Sequence, residues 1–172
     1  SVGTAGDVNG DGISEIAIGA YQFDNGQTDE GQISVFTGAA LGVSFSSSWT
    51  AEGSALQMEF GRSVSNAGDV NGDGYSDVIV GAPGYTNGQT REGRALVYLG
   101  SATGSAIAPA WSVESDLVNA QLGWSVAGAG DVNGDGYSDV IVGTADPSGS
   151  QERAFLYLGS IGGLATSPAW TG

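Results

Sequence analysis

The heptapeptide Gly-Asp-Val-Asn-Gly-Asp-Gly occurs three times, at residues 6–12, 68–74 and 130–136, each copy 62 residues after the last. A fixed period of that length marks a repeat architecture, whose unit is too small to bury its own apolar faces and stacks on its neighbours. Each heptapeptide is followed three positions on by an acid, Glu15, Asp77 or Asp139. A short apolar run closed by glycine comes next: Ile16–Ile18, Val78–Val80, Val140–Val142. Runs this short, apolar and glycine-bounded read as buried strands rather than helix.

The rest of the unit repeats as well. The 14 residues from Gly68 to Gly81 are identical to those from Gly130 to Gly143, and Ser1 aligns with Ser63 and Ser125. A polar loop containing NGQT-x-EG follows at 25–31 and 87–93, and is three residues shorter in the third copy, over 144–152. An alternating segment (Ile33–Phe36, Ala95–Leu99, Ala154–Leu158) precedes a final element carrying Trp49, Trp111 or Trp170. With the stretch ahead of the heptapeptide, each unit offers four short strands, and no segment has a sustained helical period. Glycine at 31 residues against 4 prolines suits strands joined by tight turns. The expected fold is therefore all-β: three four-stranded antiparallel blades of a β-propeller. The blades are expected over 1–59 (lacking its first residues), 60–121 and 122–172.

Counting the first aspartate of each loop as position one, Asp7, Asn9 and Asp11 fill positions 1, 3 and 5, Ile13 position 7 and Glu15 position 9. The second copy supplies Asp69, Asn71, Asp73, Tyr75 and Asp77, and the third Asp131, Asn133, Asp135, Tyr137 and Asp139. Alternating oxygen donors on a curled backbone, with the position-7 carbonyl, make a hard-ligand cage suited to Ca²⁺, one ion per repeat and about three in all. An EF-hand would need a glutamate at position 12 and an exiting helix. Position 12 is Ile18, Val80 or Val142, inside an apolar strand, so that reading fails. Glu15, longer by one methylene than its counterparts, is expected to alter the first site. Tyr75 and Tyr137 are expected to cover the loops they follow.

Charge excludes other functions. Nineteen acids against four arginines leave a net charge of −15, with no lysine, histidine or cysteine. Nucleic acid is an unsuitable partner for a chain without a basic footprint. No apolar run is long enough to insert into a membrane. Nine of the acids lie in the loops, and three divalent ions would bring the charge to −9. Without histidine, cysteine or lysine, most general-base and nucleophilic arrangements are unavailable, so no enzyme is expected. Of the remaining acids, Asp116, Asp146 and Glu152 do not recur in a pattern.

Phe60-Gly61 ahead of the second loop and Gly81-Ala82-Pro83 after its strand give the chain a resemblance to the FG-GAP repeat, the blade of integrin α-subunit propellers. The third unit departs with Leu122-Gly123 and Gly143-Thr144-Ala145, and the first lacks its Phe-Gly. The resemblance implies a secreted or cell-surface module for extracellular protein–protein interaction or adhesion. It also implies structural Ca²⁺ on one rim, between the first two strands of each blade, and ligands on the opposite face. There the NGQT-x-EG loops with Phe23 and Tyr85 are candidate contacts. A carbohydrate-binding propeller is the alternative, with Trp49, Trp111 and Trp170 as sugar platforms; a designed or truncated fragment is the second. Closed propellers have about four to eight blades. Three are therefore expected to be completed by further blades of a longer chain or by homo-oligomerisation.

Overall fold

A computed structural model describes residues 1–106, 108–145, 149 and 152–172. The first repeat contributes β1 (Val2–Gly6), β2 (Glu15–Ala20), β3 (Gln32–Phe36), a small hairpin of β4 (Gly38–Ala39) and β5 (Gly42–Val43), and β6 (Trp49–Glu52). The second contributes β7 (Ser63–Gly68), β8 (Asp77–Ala82), β9 (Arg94–Tyr98) and β10 (Trp111–Glu114). The third contributes β11 (Ser125–Gly130), β12 (Asp139–Gly143), β13 (Ala154–Tyr157) and β14 (Trp170–Thr171). Each repeat forms one antiparallel four-stranded sheet in chain order: β1-β2-β3-β6, β7-β8-β9-β10 and β11-β12-β13-β14. No helix occurs among the described residues. The β4–β5 hairpin has no counterpart in the repeat pattern. The expected short third loop includes Asp146 and falls largely outside the described residues.

The cores lie between sheets, because successive side chains of a strand point to opposite faces. Along β8, Val78 and Val80 join Ala17, Ile33, Val35 and Phe60 in a core shared with the first blade. Ile79, from the other face of the same strand, joins Ala95, Val97, Leu122, Val140 and Val142 in a core shared with the third. All six residues of β8 are buried, and after Asp77 they carry no polar side chain.

The Phe-Gly and Leu-Gly pairs act as hooks between blades. The Phe60 amide donates to the Glu30 carbonyl (3.1 Å) and its ring sits in the first core, 6.2 Å from Tyr98. Leu122 repeats the hook on Glu92 at 3.0 Å. Gly81 is glycine because the hook passes against it: a Cβ there would collide with the carbonyl oxygen of Gly123.

Candidate metal centre

Each loop starts from a bulge. The pairing of first and second strands slips at Thr4/Gly6, Asn66/Gly68 and Gly128/Gly130, and the bulge glycines have φ of 76°, 76° and 72°. That left-handed backbone ends the ladder and turns the chain into the loop. The position-1 aspartate then gathers the backbone. Asp69 Oδ1 accepts from the amides of Gly72 (2.7 Å) and Asp73 (3.1 Å), and Oδ2 from Gly74 (2.8 Å). Asp7 and Asp131 make the same three contacts in their own loops. The Gly136 amide, with those of Gly134 and Asp135, holds Asp131 below the usual carboxylate range.

Positions 3 and 5 follow the same rule. Asn71 Oδ1 accepts from the Asp73 amide (3.1 Å), and Asp73 Oδ1 accepts from the Tyr75 amide (3.0 Å). Asn71 Nδ2 donates to Asp73 Oδ2 at 2.8 Å. These side chains are partly or fully open to solvent, so their free lone pairs are accessible.

Position 9 is different. Glu15, Asp77 and Asp139 are buried. Asp77 Oδ2 accepts from the Val70 amide (2.8 Å) and Oδ1 from the Gly100 amide (2.9 Å). Asp139 pairs in the same way with Val132 and Gly159, both at 2.8 Å. Glu15 reaches Val8 at 2.8 Å and Gly38 at 3.4 Å. The acid thus ties the loop to a glycine two residues beyond the third strand. Sequence reasoning missed this second role, whose only signal is that glycine's recurrence at 38, 100 and 159. Burial raises the Asp77 pKa to about 6, opposed by the two amides and reinforced by the nearby charges of Asp73 and Asp69. Burial raises Glu15 in the same direction, again with its loop acids adding.

The tyrosines at position 7 cover a loop, but not their own. Tyr75 lies over Gly10 in the first blade's loop, and Tyr137 over Gly72 in the second's. The amide of Ser76 donates to the Asp7 carbonyl and that of Ser138 to Asp69, each at 2.9 Å. Ser101 and Ser160 likewise hold the carbonyls of Val8 (2.9 Å) and Val70 (3.1 Å). The first two loops are therefore latched by the next blade. Val8 and Val70 are 2% and 1% exposed, whereas Val132 in the third loop is 52% exposed. Among the described residues, a Cβ at Gly134 would meet nothing within 4 Å, and no tyrosine covers it.

The candidate aromatic contacts fall in several environments. Trp49 packs edge-on against Tyr98 and Trp111 against Tyr157, both at 5.0 Å, so the outer strand of each blade seals against the next. Trp111 also donates through Nε1 to the Ala165 carbonyl at 2.9 Å. Among the described residues Trp170 has no such neighbour, and it is exposed. Phe23 and Tyr85 are half-buried at the start of the loops leaving the second strand, and Arg94 lies over the Tyr85 ring at 5.1 Å.

The donor set fits a hard cation. It is made only of carboxylate, amide and carbonyl oxygens, at three equivalent places, and no ion pair among the described residues involves a loop acid. The residues that would hold an ion are those at positions 1, 3, 5, 7 and 9 of each loop.

Comparison with known proteins identifies the repeat unit. The family model of the FG-GAP repeat matches residues 1–36, 60–98 and 122–157. Over 154 residues, 80% of the chain, it is 36% identical to integrin alpha pat-2 of Caenorhabditis briggsae, covering 12% of that protein. It is 31% identical to integrin alpha-IIb of Mus musculus, over 80% of the chain and 14% of that protein. It is 33% identical to integrin alpha-PS2 of Drosophila melanogaster, over 88% of the chain and 11% of that protein. The chain thus spans about an eighth of the length of the relatives it matches. With the loop and its flanking strands repeated in all three matched segments, the chain belongs to the FG-GAP repeat family.

Proposed function

We propose that this chain is a calcium-stabilised propeller segment serving extracellular protein–protein interaction or adhesion, with no catalytic role. The observation that carries the reading is electrostatic. Nine carboxylates, three of them buried, stand three to a loop, and the described residues supply them with no cationic side chain. In two loops the position-9 acid is already pushed toward protonation by burial, with its neighbours' charge adding. A divalent ion held at positions 1, 3, 5, 7 and 9 relieves that repulsion and rigidifies the junction between blades. The family relatives named as integrin α subunits support a cell-surface or secreted setting and a protein partner.

The rim away from the metal loops, with Phe23 and Tyr85, is the surface proposed for a partner. The packing of Trp49 and Trp111 between blades supports a protein partner over a sugar. Calorimetric titration of the EDTA-treated chain with CaCl₂ tests the metal reading. About three sites, each filled by millimolar Ca²⁺, are expected for such loops; absence of binding at that concentration would sink it.

A further inference from the structure

A cluster of three carboxylates lies on the opposite rim of the middle blade. Carboxylate oxygens of Glu92, Glu114 and Asp116 come within 4.8 Å of one another. Glu92 precedes β9 and the other two lie at the end of β10, whereas the metal loops join the first and second strands at the other rim. Acidic residues often cluster without purpose, but here one member is anomalous. Glu92 is completely buried, and its Oε2 has no hydrogen-bond partner among the described residues. Its Oε1 accepts the Asn87 amide. An unsatisfied buried carboxylate oxygen is destabilising unless a ligand completes it.

We propose that Glu92, Glu114 and Asp116 hold a divalent, oxygen-preferring cation of the Ca²⁺ class, distinct from the ions of the three loops. The charge balance suits it. Arg94 Nε approaches Glu114 Oε1 at 3.5 Å, so three carboxylates and one guanidinium leave two negative charges. Arg91, the other nearby cation, is engaged by Glu59 at 2.7 Å. The cluster is also pre-organised. Asn87 Nδ2 donates to Glu114 Oε2 (3.1 Å), and Ser115 Oγ donates to the Glu92 carbonyl (2.7 Å). An ion there ties the β8–β9 loop to the connection leaving β10.

The first blade provides an internal control. Glu30, Glu52 and Asn25 repeat Glu92, Glu114 and Asn87, with Asn25 Nδ2 on Glu52 Oε2 at 2.9 Å. Ser54 stands where Asp116 would be, and Gln32 replaces Arg94. The first blade therefore keeps the scaffold and lacks the third carboxylate. Asp116→Ser writes the first blade's residue into an exposed position of the second, and Asp116→Asn removes the same charge while suiting the φ of 57° there, so both variants are read for the same loss.

The test is site-resolved. ¹⁵N-labelled, EDTA-treated chain is titrated with Mn²⁺ alone, and amide broadening is followed at Asn87 and Asp116 for the rim and at Gly12, Gly74 and Gly136 for the loops. Broadening at Asn87 is expected in the wild type, and about tenfold more Mn²⁺ is expected to be needed in Asp116→Ser, since ligand charge sets affinity. Unchanged broadening at Asn87 in the variant overturns the proposal. So does broadening confined to the loops, which leaves the calcium-loop reading standing. Broadening confined to the rim supports the proposal and overturns the loop reading instead.

Discussion

Asp77 shows how one side chain is asked to do two things. It bridges the Val70 and Gly100 amides from a buried position, and it faces Asp69 and Asp73. Its pKa stands near 6 in the folded chain against 3.8 for the unperturbed group. The folded state therefore binds the extra proton between those values, and its stability grows as pH falls through 6 and is lost as pH rises through it. In EDTA, moving from pH 7 to pH 5 is expected to stabilise the wild type by about 1 kcal/mol more than Asp77→Asn, read by urea denaturation. An identical pH response of the two would contradict the assignment. The oxygen pattern of positions 1, 3, 5 and 9 was legible in the sequence, because donor spacing is local. The backbone clamp of position 9 was not, since its partner Gly100 lies 23 residues away across the sheet.

The strands were legible as elements for a simple reason: β-branched runs between glycines have few other uses, and β2, β8 and β12 fall where those runs stand. What local pattern cannot show is contact between residues about sixty apart, and the joints between blades are built from those. Tyr75 covers the loop of the preceding blade rather than its own. Arg62 in the second blade lies between Tyr21 of the first (4.5 Å) and Trp124 of the third (4.2 Å), so Trp124 serves as a stacking partner across the blade boundary. Tyr75→Ala is expected to weaken Ca²⁺ at the first loop about tenfold, as loss of a supporting shell does. The second loop should be nearly untouched. Gly12 and Gly74 amide shifts in a Ca²⁺ titration separate the two, and a loss confined to Gly74 would contradict the cross-blade latch. The third loop lacks a latch among the described residues, and weaker binding there than in the second loop follows from the same reasoning.

At the scale of the molecule, the two end faces are unequal to the middle. Val78 and Val80 are fully buried against the first blade, while their counterparts Ile16 and Ile18 are 38% and 40% exposed. At the other end Trp170 and Ile161 are exposed. We propose that further blades, in a longer chain or a second copy, cover these faces as the first blade covers the second. Sedimentation of the chain is expected to show a mass above 17.1 kDa that rises with concentration, and Ile18→Glu to restore the single-chain mass. A strict monomer for the wild type at every concentration removes closure by self-assembly. The central claim remains that the thrice-repeated loop holds an ion as a joint between blades. A crystal structure grown in millimolar CaCl₂ tests it most directly. The account predicts an ion in each latched loop, bound at about 2.3–2.6 Å by the side chains of Asp7, Asn9 and Asp11 and of Asp69, Asn71 and Asp73. Well-ordered loops holding only water under those conditions would contradict it.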